Sequence, residues 1–149
     1  EESLLTIRKE INGTREAKEG NQYIVQLLDA LKQIKDVPSN VIHGDFNISN
    51  ILFSGSNVGA VVDFAETRQG FYEEDLAAVV DELPSYKSQM IKAFEISTGR
   101  SVNEQKLNYG LAYRALLTVL IKCRLQPEHE HSEAKQQLEQ RMKSLFAVL

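Results

Sequence analysis

Asp45, Asn50 and Asp63 are the side chains of this 149-residue sequence whose types and spacing suit chemistry at an oxygen-lined site. Asn50 follows Asp45 by five positions, and Asp63 follows Asn50 by thirteen. Between them lie two short apolar runs, Ile51-Leu52-Phe53 and Ala60-Val61-Val62, joined through Ser54-Gly55-Ser56-Asn57. Apolar, β-branched runs on either side of Gly, Ser and Asn predict a small hairpin. Folding it returns the end of the second strand to the mouth of the first, so that Asn50 and Asp63 converge. An amide oxygen beside a carboxylate suits a hard, oxygen-seeking cation such as Mg²⁺. Asp45, on the loop before the hairpin, is left for proton work. Each residue also has a plainer reading: Asp45 as a turn cap, Asn50 as a partner for local backbone, Asp63 as a strand-end cap. The register of all three favours a site. So does the position of Asp63 after a fully apolar strand, because a partly desolvated carboxylate is costly without a cation or good donors.

His43-Gly44-Asp45-Phe46-Asn47-Ile48-Ser49-Asn50 resembles the catalytic loop of the aminoglycoside phosphotransferase/choline kinase-like family, relatives of the protein kinases. Val62-Asp63-Phe64 resembles that family's metal-binding segment. Asp75-Leu76-Ala77, twelve positions past Asp63, matches a tripeptide such kinases commonly carry, and Gly70 falls in register. The order and roles parallel the H-R-D, Asn and D-F-G elements of protein kinases. Gly44 stands where protein kinases carry the arginine that answers a phosphorylated activation loop, and no A-P-E segment follows. Both points favour small-molecule kinases.

The resemblance implies transfer of the ATP γ-phosphoryl group to a hydroxyl of a small molecule of the aminoglycoside, choline, homoserine or sugar type. It makes Asp45 the catalytic base, orienting the acceptor hydroxyl and taking its proton. Asn50 and Asp63 become the Mg²⁺ ligands that bind the nucleotide's phosphates. His43 and Asp75 become structural support, bracing the loop by hydrogen bonds; Asp75 also reads as an anion at a helix N-terminus. The family often shows Gly-Asp-Pro near Gly70-Phe71-Tyr72, and this chain departs from that pattern. Glu66, Arg68, Glu73 and Glu74 fall where related enzymes approach their acceptor, although a charged, solvated loop is the plainer expectation.

The rest of the chain must position that stretch. Leu4, Ile7 and Ile11 have helical spacing over residues 3–11, and Asn12 to Asn21 reads as a polar break. Tyr23, Ile24, Leu27, Leu28, Leu31 and Ile34 form an apolar stripe over Gln22–Lys35, which Asp36-Val37-Pro38 stops. After the hairpin, Ala65 to Gly70 reads as an irregular link. Helices are expected over Glu73–Leu83, Tyr86–Ser97 with Gly99 past its end, Asn103–Cys123 and Ser132–Val148. From Tyr109 to Ile121 the pattern is apolar nearly all round, which marks a buried helix. The last helix presents Ala134, Leu138, Met142, Leu145 and Phe146.

The expected fold is mostly α with a small β-hairpin, matching the C-terminal lobe of a protein kinase-like fold as a single domain over residues 1–149. A complete kinase adds an N-terminal sheet lobe with a phosphate-covering loop and a strand lysine. The residues before His43 read as helices, so that nucleotide lobe is expected to be absent and the isolated chain inactive. Gly55-Ser56-Asn57-Val58-Gly59 is no phosphate loop, lacking a following Lys-Ser/Thr and helix. The alternative is a catalytically silent kinase-like module that binds or regulates. A metal-dependent phosphohydrolase using His43 and Asp45 is disfavoured, since further His or Asp ligands are not placed.

Composition sets outer bounds. With 42% hydrophobic and 26% charged residues and a net charge of -4, the chain lacks the basic balance of a nucleic-acid binder. No apolar run approaches a membrane span. The single cysteine, Cys123, excludes an internal disulfide framework and fits a reducing cytoplasm; inside an apolar helix end it reads as a small core residue. His129-Glu130-His131, with its histidines one residue apart in an acidic loop, is a poor zinc motif.

Overall fold

The computed structural model describes residues 2–12, 15–34, 39–125 and 132–149. Among them are helices α1 (Glu2–Ile11), α2 (Arg15–Gln33), α3 (Tyr72–Glu82), α4 (Lys87–Thr98), α5 (Glu104–Leu125) and α6 (Ser132–Val148). The strands are β1 (Asn40–Ile42), β2 (Ile51–Ser54), β3 (Asn57–Val61) and β4 (Arg68–Gly70). The chain is therefore mostly α with a small β portion, as its periodicities predict. None of the described helices is long and apolar enough to cross a membrane. The chain divides into two compact units, one of Glu1–Lys35 with Ala112–Leu149 and one of Asp36–Leu111.

In the first unit, Ile24, Leu27 and Ala30 of α2 are fully buried, as are Leu138 and Leu145 of α6, with Ala134 and Met142 nearly so. Each such Leu or Ile contributes about 1.5–3 kcal/mol on leaving water. Phe146, assigned to the α6 stripe by spacing, is instead 42% exposed. The polar break expected over Asn12–Asn21 is shorter than its composition implies, because α2 already begins at Arg15. Gly20 does not punctuate the chain there. A Cβ on it would come within 2.7 Å of a Leu120 methyl and 3.1 Å of an Ile11 methyl. Packing, not a turn, selects that glycine.

The second unit holds every candidate site residue. Ala77 and Val80 of α3 pack with Leu107 and Leu111 of α5, and Leu76, Met90, Ile91 and Val102 close round them. The helices touch at Gly110, where an added Cβ would lie 2.8 Å from the Ala77 Cβ and 3.1 Å from the Glu74 Cα. The Glu74 contact is backbone, so the helices must separate. Overpacking of this kind costs about 1–3 kcal/mol, and it competes with the ~1 kcal/mol that Ala gains over Gly inside a helix. Gly110→Ala should therefore lower the urea midpoint despite its better helix propensity. An unchanged or raised midpoint would show that α3 and α5 are not held this close.

The start of α3 is tightly fixed. Glu74 reaches back to accept the Phe71 N–H at 2.9 Å, satisfying a donor that the helix leaves unpaired. Tyr72 stacks on Phe94 with centroids 5.0 Å apart, and its hydroxyl donates to the Ser101 carbonyl at 2.8 Å. Burial, and then the charge of Glu73, raise the Tyr72 pKa above its usual 10.0, which keeps that donor protonated.

Strands β2 and β3 form the expected antiparallel hairpin, pairing Ile51 with Val61 and Ser54 with Asn57 across an irregularity after Leu52. A second antiparallel pair joins β1 to β4, with Val41 opposite Gln69. The link expected over Ala65–Gly70 is thus a 3-10 turn at Phe64–Glu66 followed by a strand. Arg68-Gln69-Gly70 has no apolar alternation to announce it, since the pairing is with a segment far away in sequence.

Candidate active site

The first turn of α3 positions the loop that carries Asp45. The Asp75 carboxylate accepts the His43 N–H at 2.8 Å through one oxygen and the Gly44 N–H at 2.9 Å through the other. Gly44 then turns with φ 86°, and a Cβ there would collide with the Glu66 carbonyl oxygen. Conformation and space both demand glycine at this position. It is therefore the fold itself, beyond any kinship, that fills the second place of the His-Gly-Asp run.

His43 is buried and bonded at both ring nitrogens. Nδ1 lies 3.3 Å from the Asp45 N–H, and Nε2 lies 2.9 Å from the Val62 carbonyl. Accepting at Nδ1 places the proton on Nε2, which donates to Val62. The ring sits edge-on to Phe46 at 5.8 Å and tilted against Phe64 at 4.6 Å. Its partners leave it no nucleophile to activate.

Beyond Asp45 the chain closes on itself. The Asn47 N–H donates to the Asp45 carbonyl at 2.9 Å, and the Asn47 side chain caps the 3-10 turn Ile48–Asn50 by accepting the Asn50 N–H at 3.2 Å. Asn50 is buried, and its side-chain nitrogen donates to the Asp45 carbonyl at 2.9 Å and to Asp45 Oδ2 at 3.2 Å. With the nitrogen so engaged, the Asn50 amide oxygen faces away from Asp45. At the hairpin base the Val62 N–H donates to the Asn50 carbonyl at 2.9 Å.

Asp63, the next residue, adopts a left-handed backbone with φ 62°. Positive φ costs about 1 kcal/mol or more for a non-glycine residue and gathers at functional positions. Its carboxylate makes no hydrogen bond or ion pair among the described residues, and Asp63 is exposed. This corrects the desolvation expected of it: the hairpin that leads into Asp63 is solvent-facing, with Phe53 60% and Val58 61% exposed. Exposure leaves the Asp63 carboxylate open to solvent. An amide oxygen and an unpaired carboxylate are donors of the hard-oxygen type that Mg²⁺ takes, binding through few protein oxygens and completing its shell with water or phosphate.

Direct contact therefore joins Asp45 to Asn50. Asp63 is tied in through Val62, which is bonded to both Asn50 and His43. The charged residues after Asp63 do not form the solvated loop expected of them. Arg68 and Glu74 make a part-buried ion pair at 3.0 Å, and Glu73 is fully buried, accepting the Asn103 N–H at 3.0 Å. Only Glu66 is exposed as expected.

Sequence reasoning missed Glu82, which accepts the Ile48 N–H at 2.9 Å. It lies seven positions after Asp75, two helical turns on, so its shared face with Asp75 was available as a signal. Among the described residues no three His, Cys, Asp or Glu side chains gather as a metal cluster. His129-Glu130-His131 lies outside the described residues, and so does the Cys123 side chain.

A family model described as a phosphotransferase enzyme family matches residues 6–109, more than half of the chain and all of the site. No curated protein and no solved structure matches it.

Proposed function

Because the chain belongs to the phosphotransferase enzyme family, we propose that it is the catalytic-loop lobe of an ATP-dependent kinase acting on a hydroxyl of a small molecule. The observation that carries this reading is the Asn50 side chain. Its nitrogen is spent on Asp45, its oxygen is turned away, and its backbone pairs with the residue before Asp63.

In the proposed reaction Asp45 orients the acceptor hydroxyl and takes its proton as the acceptor oxygen bonds the γ-phosphorus and the bond to the departing ADP oxygen breaks. Asn50 and Asp63 would hold Mg²⁺, which supplies charge neutralisation on the phosphates. His43 and Asp75 touch no reacting atom in this scheme; they fix the loop. The proposed acceptors are those of the wider family: aminoglycosides, choline, homoserine or sugars.

A nucleotide lobe is proposed to complete the site above the hairpin. The exposure of Leu52, Phe53 and Val58 supports it, since a two-stranded hairpin is marginal in water without cover. The chain alone should then bind Mg²⁺ weakly and transfer no phosphate, because two protein oxygens leave most of the octahedron to water. The test is ATP consumption by the full-length protein over amino alcohols, aminoglycosides and sugars, with calorimetry of Mg²⁺ on the chain alone. Turnover with one acceptor class is expected. A full-length protein that binds no nucleotide would hand the case to a silent module.

A further inference from the structure

We propose that Glu82 is a positioning residue for Asp45 and Asn50, acting with Asp75 as the second jaw of a clamp that α3 closes on the catalytic loop; this rests on the phosphotransfer reading above. Asp75 holds the leading end of the loop through the His43 and Gly44 N–H groups. Glu82 holds the trailing end through the Ile48 N–H at 2.9 Å. The two carboxylates are seven residues apart, which places them on one face of α3 with a rise of about 10 Å between them. The clamped amides, from His43 to Ile48, enclose Asp45.

What Glu82 fixes bears directly on Asn50. Ile48 opens the 3-10 turn that ends at Asn50, and the first N–H groups of such a turn have no partner within it. Asn47 satisfies the Asn50 N–H, and Glu82 satisfies that of Ile48. A charged acceptor makes the stronger kind of hydrogen bond. The turn orients the Asn50 carboxamide, whose nitrogen meets Asp45 and whose oxygen is proposed for the metal. Releasing Ile48 would let this turn rotate while the leading end stays pinned by Asp75. The loss would fall on the relative placement of base and metal ligand.

The test compares Glu82→Ala, which removes the acceptor, with Glu82→Gln, which keeps one. In the full-length protein the Ala variant should lower kcat by roughly ten- to hundredfold, the scale of an ångström-level misplacement, with the acceptor KM little changed. The Gln variant should recover most of it. In parallel, NMR of the chain should show the Ile48 amide exchanging at least tenfold faster in the Ala variant, with the Asn50 side-chain amide resonances displaced, and both restored by Gln. Unchanged Ile48 exchange, or an unchanged kcat in an active enzyme, overturns the clamp. A wild type that transfers no phosphate defeats the phosphotransfer reading instead, and the Ile48 and Asn50 signals then decide the clamp by themselves.

Discussion

Asp45→Asn is expected to lower turnover of the full-length protein by about 10²–10⁴-fold, the range that a positioned general base contributes, with no change of fold. Three bonds hold Asp45 through its backbone: its N–H to His43, and its carbonyl to Asn47 and Asn50. Those survive the substitution. The replacement amide oxygen can still accept from Asn50, so the 3.2 Å side-chain contact survives too. Lost is the ability to take a proton at the acceptor oxygen. Asp63→Asn should behave differently, because the Asp63 carboxylate has no partner among the described residues. It should raise the Mg²⁺ concentration needed for half-maximal rate, and excess Mg²⁺ should restore part of the activity. Steady-state rates across a Mg²⁺ titration, for wild type and both variants, separate the two roles. Wild-type turnover in Asp45→Asn would end the base assignment. A loss in Asp63→Asn that no Mg²⁺ concentration eases would end the metal assignment.

The parts of this molecule that the sequence announces are those encoded locally. The α6 stripe, the hairpin around Gly55-Ser56 and the helix that begins after Phe71 each follow from a periodicity or turn signal within a few residues. Asp45 and Asn50 are legible for the same reason: five residues and one 3-10 turn bring them together. What stayed hidden depends on partners distant in the chain. Nothing within Arg68-Gln69-Gly70 reveals a strand, because its partner Asn40–Ile42 lies nearly thirty positions earlier. Gly20 looks like a break until Leu120 is seen against it. Charge misled in the same way: Glu73 and Glu74 read as solvated until Asn103 and Arg68 are found to hold them. The solvent-facing hairpin reverses that error, since Asp63 reads as partly desolvated merely for following an apolar strand.

Asp75→Ala should cost the most stability of the substitutions considered, about 2–4 kcal/mol in urea unfolding. Two backbone N–H groups, those of His43 and Gly44, depend on the one carboxylate in a part-buried setting. Hydrogen bonds to a charged group contribute about 1.5–3 kcal/mol each, and a donor left buried bears the desolvation penalty. Neither amide has an easy replacement partner. Gly44 is packed against the Glu66 carbonyl in a left-handed turn, so the chain cannot relax to find one. A loss of this size is a large share of the 5–15 kcal/mol that holds a typical domain together. Asp75→Asn is the more discriminating variant. Its single side-chain oxygen can accept from one N–H, which points the NH₂ group at the other, donor against donor. Asn should therefore rescue little at Asp75, although the same acid-to-amide change is predicted to be tolerated by the fold at Asp45 and at Glu82, where one acceptor oxygen is enough. Urea midpoints for the Ala and Asn variants at Asp75, set beside Asp45→Asn, test this directly. An Asp75→Asn protein as stable as the wild type would mean that only one of the two amides is truly held, and the loop would then be anchored at a single point instead of gripped across Gly44.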